Sequence, residues 1–450
     1  MAVTTVLGLA GRLPAADPAG DDVVQTIINL VSEKDKDLRT VGLEQVRDEA
    51  KGEAATKRFA AVLPRLAPEA QVGLLNALAD RGDRTARPAV LDKVKSQEES
   101  VRAAAVRALG PLGEPADVPL LVQSIAAANG LEKIAAASLV RLSSPVVNAA
   151  ITDQMKGAAA KVRVDLLGVL VARQAVDCIP FVLATAKEEG DATVRIAAIE
   201  ALGQLCRPDD IPALLPLVLK PGDTKAGKAA ENSVVQVCGR VAEANERADV
   251  LLKAYAAAGN EEKRILLPLA GRVGGPAVLK TIDQAIANSN PTQHAIGMEA
   301  LCNWPDSSVG DRLLKLAKSA SDPADRASAL SALIRVAPLP DKRPPAGKLK
   351  MLQEAMKLVA TDAERKTILK RAAAIRSMDT LHYVVTFMDD PALGQQACAT
   401  VVELAHHREL RLPHEAEFNK LLDQVIAVSK DPVVVERAKL YKAGRTYKRP

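Results

Sequence analysis

The sequence predicts an all-α fold, an α-α superhelix of about twelve stacked helical hairpins. Three observations carry that expectation. One local context recurs about every 31 residues along most of a 450-residue chain. Within each recurrence the apolar residues fall at helical rather than alternating spacing. Hydrophobic residues make up 48% of the chain, yet aromatic residues only 2%. A core of Ala, Leu and Val with so few rings must be thin, as between helices packed side by side.

The recurrence is plainest in "EESVRAAAVRALGPLG" at 98–113 and "ATVRIAAIEALGQL" at 192–205, which share Val-Arg and Ala-Leu-Gly in the same places. With Arg102 as anchor, equivalent positions are Arg39, Val72, Lys133, Arg163, Arg195, Ala229, Arg264, His294, Arg326, Arg365 and Gln395. Six and seven residues after the anchor both columns are apolar in ten of the twelve units, which describes a wide buried helical face. Four residues before it stand Asp35, Pro68, Glu98, Asn129, Ala159, Asp191, Lys225, Asn260, Asn290, Asp322, Thr361 and Pro391. Asp, Asn and Thr there cap a helix start, because their oxygens accept from the first unpaired backbone N–H groups. Asp322-Pro323 adds proline at the first helical position, where no N–H is missed. The "ALG" and "GRVGG" strings near the other end supply C-capping glycines.

A second amphipathic stretch lies between one anchor helix and the next, for example at 116–128, 210–220 and 309–320. Its prolines, Pro119, Pro180 and Pro212, sit near the start, where they are tolerated. Each repeat is thus a hairpin whose helices cannot bury their apolar faces alone, so successive pairs must stack.

A unit of this length with Asp or Asn, then Val-Arg, then Ala-Leu-Gly resembles the HEAT repeat, specifically the short bacterial type also found in phycobilisome lyase subunits. The resemblance covers residues 22–440 and is sharpest at 98–110 and 191–203. It implies that the arginine and the capping acid form a ladder between repeats, and that the anchor helices line a concave surface. It makes Asp191 with Arg195 and Asp322 with Arg326 expected rungs, and Val72, Ala229 and Gln395 expected interruptions.

Function classes narrow by exclusion. Sixty basic and 55 acidic residues give a net charge of +5, too small to imply nucleic acid or an anionic membrane. The column five after the anchor, expected to be exposed, reads Glu44, Ala77, Arg107, Ser138, Gly168, Glu200, Val234, Leu269, Glu299, Ser331, Lys370 and Thr400. Two basic against three acidic residues make no phosphate-tracking stripe, and Trp304 with four tyrosines is a poor stacking set, which disfavours a DNA glycosylase. Cys178, Cys206, Cys238, Cys302 and Cys398 form no CxxC pair and read as small buried hydrophobes. His406, His407 and His414 are the only histidine cluster; adjacent helical residues diverge by about 100 degrees, so a solvated loop is expected rather than a metal site. The HEAT-repeat deoxyhypusine hydroxylases hold two irons with several His-Glu pairs; this chain has one, His414-Glu415. "GRVGG" at 271–275 lacks the preceding strand of a phosphate-binding loop and reads as a helix end followed by a turn. His294, in an anchor column, reads as structural. No catalytic, cofactor-binding or metal-binding residue is assigned.

Irregular joints remain. The segment 337–350 is rich in Pro and basic residues and is expected as a surface loop until near its end; 220–228 and the histidine segment are other lengthened joints. Residues 441–450 read as a basic, disordered tail. Residues 1–21 begin with an apolar run, Ala2–Gly11, then Pro14, Ala15 and Ala16, which resembles a signal peptide without its basic start. The expectation is a single elongated domain over 22–440, exported if residues 1–16 are a signal and otherwise cytoplasmic. It is expected to act as a non-catalytic protein-binding scaffold, monomeric or partner-bound, with no cofactor, no nucleic acid and no membrane insertion. The alternative is an enzyme or chromophore-lyase-like subunit using a concave pocket.

Overall fold

The computed structural model describes residues 18–220 and 222–447, and among these residues every regular element is helical. The signal-like residues 1–16 lie outside the described residues, as does the end of the basic tail. Among the described residues no helix is long and apolar enough to cross a membrane. The chain divides into two compact units, one comprising residues up to Cys206 with Lys220–Ser233, the other Arg207–Leu219 with everything from Val234 onward.

In the first unit the anchor helices are Lys36–Asp48, Pro68–Arg81, Glu99–Leu112, Glu132–Arg141, Ala160–Ala172 and Ala192–Leu205, each packed on the one before and after it. The intervening helices, such as Val118–Ala126 and Ile179–Glu188, pack on the anchor helix of their own hairpin, and Val118–Ala126 packs also on Val147–Met155, its neighbour in the row. Pro119 and Pro180 occupy the first turn of these helices, where the missing N–H would have no partner. The second unit repeats the pattern with Asn260–Val273, Pro291–Cys302, Pro323–Val336, Asp362–Ala372 and Gly394–His406 as anchor helices. In both units substantial helix contacts join a hairpin to its neighbours, which is the nearest-neighbour architecture of a solenoid.

The core is aliphatic. Leu74, Leu78, Leu109, Leu112, Leu121 and Leu139 have no exposed surface, and the two largest wholly enclosed side chains are Phe59 and Phe418. Small residues let the anchor helices approach closely. A Cβ added to Gly203 would lie 2.7 Å from the Ser233 Oγ and 3.0 Å from its Cα. The same Ser233 hydroxyl donates to the Ile199 carbonyl at 2.9 Å, so a buried polar group meets its acceptor in the preceding anchor helix. Ser138 does the same to Val106 at 2.8 Å and Thr400 to Leu369 at 3.1 Å.

These contacts correct the column expected to be exposed. Glu44, Arg107, Gly168, Glu200, Glu299, Ser331 and Lys370 face solvent, but Ala77, Ser138, Val234, Leu269 and Thr400 are buried. There small, aliphatic or hydroxyl side chains meet the adjacent helix. The cap column is corrected as well. Asp35, Asp191, Asn290, Asp322 and Thr361 cap their helices through the side chain. Glu98 and Ala159 hold the cap position without a side-chain bond. Elsewhere the cap has moved: Asp223 accepts from the N–H groups of Lys225 and Ala226, and Asp390 from those of Ala392 and Leu393.

Two expected loops are more ordered than their composition suggests. Helix begins at Pro345, so the non-helical part of 337–350 ends there. Asp341 draws it together, lying 3.7 Å from Arg343 Nε and 3.5 Å from Lys348 Nζ, while Lys348 also donates to the Leu339 carbonyl. The histidine segment is a helix end at His406, a short helix Arg408–Arg411, a 3₁₀ turn Leu412–His414, and then Glu415–Val428. Arg411 is buried and donates to the Ala405 carbonyl, which holds that turn against the body of the unit. In the tail, Tyr447 lies under the Arg437 guanidinium at 5.8 Å.

Candidate functional site

The anchor residues do two jobs. Arg39, Arg102, Arg195 and Arg326 first reach back to carbonyls just past the end of the preceding helix. Arg39 Nη1 donates to Glu33 and Lys34, Arg102 to Ser96 and Gln97, and Arg326 to Ala320 and Ser321, at 2.6–3.3 Å. Helix C-termini leave carbonyls unpaired and carry partial negative charge, so a guanidinium there is doubly favoured. Several anchors then reach forward. Arg195 Nη2 donates to Asp223 at 2.5 Å, Arg163 pairs with Glu189, and Arg39 lies 3.6 Å from Glu69.

The expected rungs Asp191–Arg195 and Asp322–Arg326 are therefore corrected. Each aspartate turns into its own helix, Asp191 accepting from Thr193 and Val194 and Asp322 from Ala324. The acid met by Arg195 comes from the following repeat. Gln395 is no interruption either, because its amide donates to the Val428 carbonyl and accepts from the Lys430 N–H. At Val72 the neighbouring Gln71 supplies a bond to the Leu66 carbonyl, whereas Ala229 is simply buried.

His294 completes the row. Its Nδ1 lies 2.7 Å from the Ile286 carbonyl and its Nε2 2.7 Å from the Asp325 carboxylate in the next anchor helix. Two acceptors demand two donors, so the ring holds a second proton. The Asp325 bond and then the Ile286 carbonyl raise its pKa above the ordinary value. His294 stands in for arginine, clamping back and reaching forward in the same way.

A second row of arginines went unread in the sequence. Arg81 donates to the carbonyls of Val46, Glu49 and Ala50 and to the Thr56 hydroxyl; Arg173 to those of Leu139, Val140 and Leu142 and to the Asn148 side chain. Arg335 donates to Cys302 and Trp304, and Arg371 to the Arg335 carbonyl. Each ties off the end of the previous anchor helix from about 31 to 36 residues away. Nothing local in the sequence signals a partner that is backbone.

The groups that could do chemistry are otherwise engaged. A 630 Å³ cavity beside His294 is lined by Cys302, Glu299, Asp322 and Asp325. Both nitrogens of its imidazole are occupied, and burial pushes the Cys302 thiol up to about 11, far from a thiolate nucleophile. Cys178 and Cys238 are likewise raised by burial to about 11. In the histidine segment, His406 Nδ1 lies 2.9 Å from the Tyr441 hydroxyl, Arg437 donates to Glu403 at 2.6 Å, and Arg411 and Arg437 lie over the Tyr441 ring. Burial, Arg376 and His406 lower the pKa of His407, while His414 is exposed. That cluster fastens Gly394–His406 to the last helix, Pro432–Lys442. Among the described residues no group of three or more His, Cys, Asp or Glu side chains is placed to hold a metal ion.

Between Pro323–Val336 and Asp362–Ala372 lies a cavity of about 400 Å³ lined by Ser331, Ile334, Arg335, Ala363, Glu364, Thr367 and Arg371. It opens beside the exposed column, of which Ser331 is a member. Pro291–Cys302, Pro323–Val336 and Asp362–Ala372 are successive anchor helices, and they expose Glu299, Ser331 and Lys370 at one register.

The sequence profile of HEAT repeats matches residues 56–141 and 148–234. No curated protein matches the chain. Among solved structures it is similar to the karyopherin Kap121p, with 11% identity and a TM-score of 0.43 over 95% of this chain and 57% of that one. It is similar to yeast importin-beta, Kap95p, with 11% identity and a TM-score of 0.42 over 93% of this chain and 66% of that one. Human deoxyhypusine hydroxylase in complex with glycerol matches 49% of this chain and 97% of its own length, with 16% identity and a TM-score of 0.23. The chain thus spans little more than half the length of Kap121p.

Proposed function

We propose that this chain, whose residues 56–141 and 148–234 are HEAT repeats, is a protein-binding scaffold without catalytic activity of its own. The observation that supports the reading is the exposed register of three successive helices, Glu299, Ser331 and Lys370, with a cavity set between the last two. Repeating elements presented at one register offer a partner an extended surface at low ordering cost, since the helices are already fixed by their neighbours. Mixed charge along it suits a protein surface better than a polyanion.

The test is site-specific photo-crosslinking on the full chain, with the reactive group at Ser331 or Lys370 and, as control, at the exposed Lys315 of an intervening helix. A protein adduct formed from the first two positions and not from the third supports the scaffold. Recovery of no protein, with a copurifying small molecule or metal, overturns it. Export is part of the same proposal: the apolar run Ala2–Gly11 followed by Pro14-Ala15-Ala16 supports a cleaved signal. N-terminal sequencing of the protein from its native source decides that point, and an intact Met1 refutes export by this route.

A further inference from the structure

The second row of arginines contains an internal comparison. Arg81 and Arg173 have the same place in the fold as Arg335 and Arg371, but not the same saturation. Arg81 uses three nitrogens on three carbonyls and a hydroxyl, and Arg173 two nitrogens on three carbonyls and an amide oxygen. Arg335 uses only Nη2, on the carbonyls of Cys302 and Trp304, and Arg371 only Nη2, on the carbonyl of Arg335. Arg371 Nε is buried without any partner. Three other arginines, Arg163, Arg195 and Arg343, also make no hydrogen bond through Nε, but each has an acid beside it. Among the described residues neither Arg335 nor Arg371 has one.

Both guanidiniums line the 400 Å³ cavity, whose wall is otherwise Ile334, Ala363 and the hydroxyl-bearing Ser331 and Thr367. Glu364 is the single acid there, and the Thr361 N–H and hydroxyl already donate to its Oε2 at 3.1 and 2.7 Å. Exposed Lys370 adds a positive charge next to Arg371 in the same helix. A half-buried pair of like charges with unused donors lacks an anion, since a buried donor left unsatisfied is costly and a charged one more so. Guanidinium donors fork to match a planar carboxylate, and the aliphatic wall suits a hydrocarbon neighbour.

We propose that this cavity is a peptide pocket that takes a Glu or Asp side chain, flanked by an aliphatic residue, from a protein partner, with Arg335 and Arg371 receiving the carboxylate. The inference rests on the scaffold reading and gives that surface a ligand chemistry.

The test titrates the full chain into a fluorescein-labelled peptide, Leu-Glu-Leu-Glu-Leu, and reads anisotropy, with Leu-Gln-Leu-Gln-Leu as control. Saturable binding that weakens with salt is expected for the first peptide alone. Arg371→Gln weakens it at least about tenfold, the cost of one charge-assisted bond. Ser331→Phe, which fills the cavity and leaves both guanidiniums in place, does the same and carries the test if Arg371→Gln does not fold. Arg173→Gln, at a position with four bonds to its neighbours and outside the cavity lining, leaves binding unchanged. Equal binding of the glutamine peptide, no saturable binding, or full binding by Ser331→Phe overturns the pocket. Calorimetric titration with inorganic phosphate separates the sources of the anion, and tighter binding of phosphate than of peptide also overturns it. A chain that crosslinks a protein through Lys370 while ignoring the peptide keeps the scaffold and loses this pocket.

Discussion

At the scale of single residues, the anchor column shows how one geometric task selects different side chains. Arginine performs it at 39, 163 and 195, the Gln395 amide through its two ends, and His294 only when doubly protonated. Because Asp325 and the Ile286 carbonyl make the folded imidazole hold its proton more tightly than the unfolded one, the contact contributes fully below the ordinary pKa of 6.5. Its contribution is lost as pH rises through the higher folded value. The wild-type chain is therefore expected to lose thermal stability between pH 6 and pH 8 relative to His294→Arg, which keeps its charge across the range. Melting temperatures of the two proteins measured side by side decide it, and parallel pH profiles would remove His294 from the ladder. The buried hydroxyls give a second prediction. Ser233→Val removes the donor to Ile199 and adds bulk where Gly203 leaves no room, so it costs about 1–3 kcal/mol in chemical denaturation; Gly203→Ala meets the same wall and costs a similar amount.

At the scale of the element, caps separate what local sequence can tell from what it cannot. Asp191 sits at the start of Ala192–Leu205 and accepts from the Thr193 and Val194 N–H groups, so Asp191→Ala should lower the midpoint of chemical denaturation. Glu98 holds the equivalent place before Glu99–Leu112 without a side-chain bond, and Glu98→Ala should fall within about 0.5 kcal/mol of neutral in the same denaturation assay. The helix starts at 36, 192, 291 and 323 were legible because a cap and its targets lie within three residues of one another. The start within 220–228, at Thr224, was misplaced because Asp223, two residues upstream of the column, took the role. Arg81 and Arg173 were illegible for the opposite reason: their acceptors are backbone carbonyls a full repeat away, and any sequence there supplies a carbonyl. The cavity between Pro323–Val336 and Asp362–Ala372 was hidden likewise, since Ser331, Arg335, Thr367 and Arg371 meet only when one repeat stacks on the next.

At the scale of the whole molecule, the periodicity predicts how a local injury spreads. A globular domain with one shared core unfolds as a unit, whereas an array whose hairpins touch only neighbours has stability that is the sum of repeat and interface terms. Leu109 is completely buried in Glu99–Leu112, and that helix packs on Pro68–Arg81 and Glu132–Arg141. Truncation to alanine there removes three carbons from a site closed on both sides and should cost about 2–5 kcal/mol. Native-state hydrogen exchange can locate where the cost falls, because amides report the free energy of the smallest opening that exposes them. Leu109→Ala should accelerate exchange in Glu99–Leu112 and in the two anchor helices beside it, with progressively less effect at Ala160–Ala172 and Ala192–Leu205, which lie further along the same unit. A uniform acceleration across all five helices would mean that the unit opens only as a whole. The nearest-neighbour account of why about thirty residues recur along this chain would then fail on energetic grounds, whatever the geometry of the contacts.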